Sequence, residues 1–184
     1  MSEVERNTTS RGVLYTITCA VGSAPLVYDV IKMAQQAGWD VCAILTPNAR
    51  QFVDEAYLAQ LTGHPVRSEY KKPDDPDVLP PANALLVFPA TFNTINKWAL
   101  GISDTFALGL LCEFTGLKLP ILAVPVVRKG KLAEHPAFPR NIRMLRRYGI
   151  HVFYEPEMYP PRNEIPGEII LNELHKMIGR YNLH

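Results

Sequence analysis

Five short apolar runs, at residues 13–19, 41–45, 84–88, 120–124 and 150–153, constrain this chain more than any other feature. Each is too short to be a helix that buries a full stripe. Rich in Val, Ile and Leu and closed by Gly, Pro or Thr, they read as strands buried on both faces. Between them the spacing changes. Leu26, Val30, Met33, Ala34 and Ala37 recur at helical intervals, and Gly38 ends that pattern before the second run. Two strand-turn-helix units in succession predict a parallel sheet with helices on both faces, joined by right-handed crossovers.

The remaining punctuation supports the same architecture. Thr46 followed by Pro47 reads as an N-cap and first turn, which predicts a helix opening there. Residues 61–81 hold Gly63, Pro65, Pro73, Pro76, Pro80 and Pro81, so they read as a loop with a short extended piece at 66–70. After the central strand, helices are expected at 94–100, 103–114, 139–148 and 167–181. The stretch 99–114 is apolar nearly all round, so it is either wholly buried or part of a subunit interface. A single α/β domain over 12–184 accounts for the chain, with residues 1–11, polar and charged, as a disordered leader.

Composition removes several classes of function. With 47% hydrophobic and 20% charged residues, 184 residues can bury a full core. The net charge of +1 offers no field for nucleic acid, and Arg140, Arg143, Arg146 and Arg147 read as a solvated helix face. No run reaches the roughly 20 apolar residues of a membrane span, and no signal peptide is expected. Cys19, Cys42 and Cys112 lack metal-ligand spacing and are odd in number, which points to a reducing, cytoplasmic setting without disulfide or metal site.

Chemistry concentrates at the end of the central strand. In open parallel sheets ligands settle at the carboxyl ends of strands, where helix N-termini offer free N–H groups. Here an apolar run breaks into Pro89-Ala90-Thr91-Phe92-Asn93-Thr94-Ile95-Asn96-Lys97. Thr91 or Asn93 either caps the next helix or faces a ligand, and spacing leaves both readings open. This segment, with Ala99-Leu100-Gly101-Ile102-Ser103-Asp104 behind it, resembles the flavin-contacting signature of the homo-oligomeric flavin-containing cysteine decarboxylases. That family includes phosphopantothenoylcysteine decarboxylase and the peptidyl-cysteine decarboxylases of lantibiotic maturation. The likeness runs in order from about residue 13 to residue 152.

The resemblance implies a Rossmann-like fold, bound FMN, a small-molecule substrate and a homotrimer or higher multiple with the flavin at the subunit boundary. It places the FMN phosphate at Gly22 and Ser23 in the turn after the first strand, with Thr46 as partner. The isoalloxazine then lies against Pro89, Ala90, Thr91, Asn93 and Thr94. Phe92 stands where the family has a small residue; it either stacks on the flavin or fills space.

Three departures bear on the chemistry. The family's enzymes oxidise a cysteine to a thioaldehyde-like intermediate, passing hydride to FMN, with a histidine upstream of the central strand. The matching position here is Asp75, whose carboxylate is a weak base at neutral pH. His64 lies farther upstream and serves either as a substitute, if the loop folds back, or as a turn residue. The family's Pro-x-Met-Asn-x-x-Met-Trp motif keeps only Pro125; Arg128 in that stretch is the candidate partner for a substrate carboxylate. Segment 155–167 is shorter than the peptide-specific substrate clamp. The expected activity is therefore FMN-dependent and decarboxylase-like, on a small cysteine-type acid. A flavin-binding subunit without its own chemistry and a flavin prenyltransferase are the alternatives.

Overall fold

A computed structural model of the chain describes residues 10–72, 74–128, 130–159 and 165–181. The strands β1 (Gly12–Thr18), β2 (Trp39–Leu45), β3 (Ala84–Ala90), β4 (Ile121–Pro125) and β5 (His151–Val152) form one parallel sheet in the order β2-β1-β3-β4-β5. Six helices cover it: α1 (Val27–Gln36), α2 (Glu55–Thr62), α3 (Phe92–Ala99), α4 (Phe106–Gly116), α5 (Ala137–Arg147) and α6 (Gly167–Tyr181).

Because successive side chains on a strand point to opposite faces, the sheet feeds two cores. Leu14, Val41, Leu86, Phe88 and Val124 meet α1, α2 and α6 on one face. Ile17, Ile44, Leu85, Val87 and Ala123 meet α3, α4 and α5 on the other. The result is a three-layer α/β/α Rossmann-like domain, as the strand and helix spacing requires. Every residue of β3 and β4 is buried, which is why those runs show no polar alternation.

Several boundaries differ from the sequence reading for identifiable reasons. Thr46 has the extended backbone of an N-cap, yet its side chain caps nothing. Bonds from Ala49 N–H to the Thr46 carbonyl and from Phe52 N–H to the Ala49 carbonyl close a 3-10 turn over Pro47–Gln51. The helix starts instead at α2, where the Asp54 carboxylate accepts from Tyr57 N–H at 3.0 Å. Helix α3 starts at Phe92, ahead of the expected position, because Thr91 accepts from Thr94 N–H. Strand β3 runs on through Pro89. Proline donates no ladder bond, and the pairing with β4 shifts register between Val87 and Ala90.

The first strand begins against a tight neighbour. Gly12 has φ of +99°, and a Cβ there would collide with the Asn83 side chain, whose oxygen accepts from Val13 N–H at 2.7 Å. Of the expected N-terminal leader, residues 1–9 lie outside the described residues. Arg11 is held by β2's approach: its N–H donates to the Gly38 carbonyl at 3.0 Å and its Nε to the Ala37 carbonyl at 2.8 Å.

Helix α6 supplies a pH-dependent element. The His175 Nε2 is buried without a partner, and burial, aided by the Arg11 charge, lowers its pKa below the ordinary 6.5. The folded state therefore binds that proton less readily than the unfolded chain. The corresponding stability is present above about pH 6.5 and is lost as pH falls from there toward the folded pKa. Glu173 on the same helix is held below its ordinary value by hydrogen bonds from Lys176 and His151, so its contribution is lost only in more acidic solution. Melting temperatures between pH 7.5 and 5.5 should fall for the natural chain and fall less for His175→Gln. Parallel curves would refute the assignment.

Candidate functional site

The strand order reverses direction of growth between β1 and β3, and the crevice outside their carboxyl ends is where open α/β sheets bind ligands. A cavity of about 350 Å³ opens there, lined by Ala20, Thr46, Pro47, Asn48, Thr91, Asn93, Thr94, Lys97, Thr105 and Leu108. Its wall carries hydroxyls, two amides and one ammonium among the described residues, and no carboxylate.

Each wall element is fixed by backbone bonds between neighbouring strand ends. Cys19 N–H donates to the Pro89 carbonyl at 3.2 Å, Thr46 N–H to the Thr18 carbonyl at 3.0 Å, and Val126 N–H to the Ala90 carbonyl at 2.9 Å. The Phe88–Pro89 peptide is cis. Behind the wall, the Thr18 hydroxyl donates to the Phe88 carbonyl at 3.2 Å. Thr91 and Thr94 hydroxyls stand 3.0 Å apart, and Cys19 Sγ lies 3.2 Å from the Thr94 hydroxyl. Burial pushes the Cys19 thiol above its ordinary value, opposed by hydrogen bonds with Thr94 and Thr91.

Of the residues singled out from sequence, Thr46, Thr91, Asn93 and Thr94 meet on this cavity. Pro89 and Ala90 form the strand end beneath it. Gly22 and Ser23 sit in the turn after β1. Gly22 is exposed, with nothing within 4 Å of where a Cβ would stand, and the Ser23 hydroxyl is buried with no partner. Arg128 is exposed at the carboxyl side of β4. Phe92 turns away from the cavity to pack on Phe138 and His135, with ring centroids 5.9 and 5.6 Å apart.

The two candidate bases stand apart from the cavity wall. His64 Nε2 is 2.7 Å from Asp40 Oδ1, and Asp40 is the second residue of β2, at the amino end of the sheet. At roughly 3.3 Å per residue, that is about 20 Å along β2 from Thr46. Asp75 is exposed on the 63–83 loop, where its carboxylate accepts from Lys72 N–H at 3.0 Å. That loop does reach the site: the Tyr70 hydroxyl donates to the Thr105 carbonyl at 3.3 Å, and the Tyr15 hydroxyl pins the Pro80 carbonyl at 2.8 Å.

Sequence reasoning missed Asn48, Lys97 and Thr105. Lys97 lies one turn beyond Thr94 on the same helix, where its ammonium pairs with Asp104. Thr105 caps α4 by accepting from Leu108 N–H, a Thr-before-apolar-run signal that was legible. Asn48 carried no such signal.

The sequence pattern of the Flavoprotein family matches residues 1–173. The chain belongs to the Flavoprotein family. Within it, the chain is 28% identical over 142 residues to a probable phosphopantothenoylcysteine decarboxylase of Streptococcus mutans, covering 72% of this chain and 78% of the relative. It is 33% identical over 127 residues to the coenzyme A biosynthesis bifunctional protein CoaBC of Bacillus subtilis, covering 66% of this chain but only 30% of that longer protein. Two solved structures share the fold of this Flavoprotein member. A cysteine-to-serine mutant of PPC decarboxylase complexed with pantothenoylaminoethenethiol superposes with TM-score 0.73 at 17% identity, over 93% of this chain and 100% of that one. Peptidyl-cysteine decarboxylase EpiD superposes with TM-score 0.68 at 25% identity, over 89% and 98%.

Proposed function

We propose that this protein binds FMN at the carboxyl ends of β1, β2 and β3 and acts as a decarboxylase-type enzyme on a small cysteine-type acid. The carrying observation is the cavity at the β1/β3 switch point, walled by Thr46, Thr91, Asn93 and Thr94 beside the unpartnered Ser23 hydroxyl. The chain's residues fit the cofactor. A buried hydroxyl without an acceptor costs free energy until a ligand supplies one, and the open face of Gly22 leaves room for a phosphate beside it. In this reading Gly22, Ser23 and Thr46 hold the phosphate, and Pro89, Ala90, Thr91, Asn93 and Thr94 face the ring.

When bound, the flavin supplies a two-electron acceptor for oxidation of the thiol-bearing substrate. The protein's part is to position that substrate and to handle its protons. Arg128, solvent-facing at the carboxyl side of β4, is the candidate partner for its carboxylate. Asp75 is favoured over His64 as the base, since its loop reaches the cavity wall through Tyr70.

A second reading has specific support. Among the described residues no histidine lines the cavity, which suits a flavin-binding subunit without its own chemistry. Release of carbon dioxide from cysteine-type acids by the flavin-loaded protein separates the two. Prenyl transfer has the least support, because Lys97 is the one basic side chain on the wall and Asp104 already pairs with it. We place the protein in the cytoplasm, given three free thiols, and expect a homotrimer. Leu100 and Ile102, 54% and 41% exposed between α3 and α4, favour self-association.

The deciding experiment is the absorption spectrum of the purified protein, with mass spectrometry of what is released on denaturation. Flavin bands and the FMN mass are expected. A colourless protein that also fails to bind added FMN would refute the proposal. Replacing Asn93 by alanine should weaken FMN about tenfold, the loss of one or two hydrogen bonds to the ring. Full retention in that variant would place the ring elsewhere.

A further inference from the structure

Cys19 lies behind the cavity wall, 1% exposed, at the end of β1. Its Sγ is 3.2 Å from the Thr94 hydroxyl, which is 3.0 Å from the Thr91 hydroxyl. The two contacts join three groups, and each group carries one hydrogen. Thr91 also accepts the Thr94 N–H at 3.4 Å, so one of its lone pairs is already taken. Thr94 is 6% exposed, and among the described residues its hydroxyl meets only Cys19 and Thr91. Thr91 borders the cavity and is half-buried.

The hydrogens can be assigned by asking which would be left unpaired. Sulfur is a weak acceptor, so the thiol serves best as the donor end. If Thr91 donated to Thr94, the buried Thr94 hydrogen would have no acceptor. If Thr94 donated to sulfur, the buried thiol hydrogen would have none. Both arrangements strand a buried hydrogen, which proteins avoid. One order remains in which each buried hydrogen is paired: Cys19 donates to Thr94, and Thr94 donates to Thr91. The Thr91 hydrogen is then the free one, and it faces the cavity.

We infer that Cys19 is a positioning residue, which through Thr94 fixes the Thr91 hydroxyl as a hydrogen-bond donor into the cavity, so that the bound ligand must present an acceptor there. On the reading that the cavity holds FMN, that acceptor is a carbonyl oxygen or ring nitrogen of the isoalloxazine. The thiol itself never touches the ligand. Its burial also separates this role from that of a redox or nucleophilic cysteine, which needs exposure.

The test uses the full chain with FMN, and three Cys19 forms. Cys19→Ser keeps the donor and should stay within about twofold of the natural Kd for FMN. Cys19→Ala frees Thr94 and Thr91 to reorient, and should weaken FMN about fivefold, the effect of one hydrogen bond. The infrared carbonyl stretches of bound FMN should shift toward their free values in Cys19→Ala and return in Cys19→Ser. Combined with Thr91→Val, Cys19→Ala should add no further loss, because both break the same chain.

The natural protein alone provides a second measurement that does not depend on any variant folding. Its S–H stretching region should contain one band lowered by donation, with or without FMN. Absence of a lowered band, equal loss in Cys19→Ser and Cys19→Ala, or additive losses with Thr91→Val would each overturn the inference while leaving FMN binding intact. A natural protein that binds no FMN would instead overturn the functional reading, and the ligand assignment with it.

Discussion

Phe88→Ala should lower the free energy of unfolding by about 3–5 kcal/mol, the cost of emptying a large buried aromatic site. Phe88 is 1% exposed in the centre of β3, packed in the core shared with α1, α2 and α6. It also precedes Pro89, whose carbonyl holds Cys19, and its own carbonyl accepts the Thr18 hydroxyl. Stability and ligand site are therefore tied to one strand end. Urea unfolding should show a lower midpoint with an unchanged slope, and FMN affinity should fall alongside. A loss below about 1 kcal/mol would mean that α1 and α6 collapse onto the vacated space.

Ser23→Asp should abolish FMN binding while leaving riboflavin binding unchanged. A carboxylate about 4 Å from a phosphate charge, at an effective dielectric near 20, is repelled by about 4 kcal/mol. Even half of that is roughly thirtyfold in Kd. The backbone has no reason to object: Ser23 occupies the cap position before a short 3-10 turn, and aspartate is as good a cap as serine. Because riboflavin lacks the phosphate, the pair of ligands separates repulsion at Ser23 from a general loss of the cavity. Equal loss of both, or retention of FMN, would move the phosphate away from the β1 turn.

Much of this was legible because burial on both faces leaves an unmistakable trace. Runs such as 84–88 can only be central strands of a covered sheet, and helical spacing between them sets the layers. The cavity was legible in part for a related reason: Thr46, Thr91, Asn93 and Thr94 stand where apolar runs end, and strand ends of a parallel sheet share one edge. The misreading of Thr46 as a helix cap arose because cap preference is local. At that position the neighbouring strand end offers the Thr18 carbonyl, 3.5 Å from the hydroxyl and 3.0 Å from the amide. His64 failed as a neighbour of the site for the opposite reason. Distance along the chain carries no information about which end of a sheet a loop returns to, and Asp40 holds it at the amino end.

The sequence by itself determined the class of fold, the number of strands and the loops from which a ligand site could be assembled, since those follow from periodicity and from where apolar runs stop. Strand order, the approach of α3 and α4 to one cavity, the turning of Phe92 onto Phe138 and the Cys19–Thr94–Thr91 chain were decided only in three dimensions. Each joins residues far apart in the chain, and their pairing depends on which buried polar groups and surfaces satisfy one another once the layers have closed.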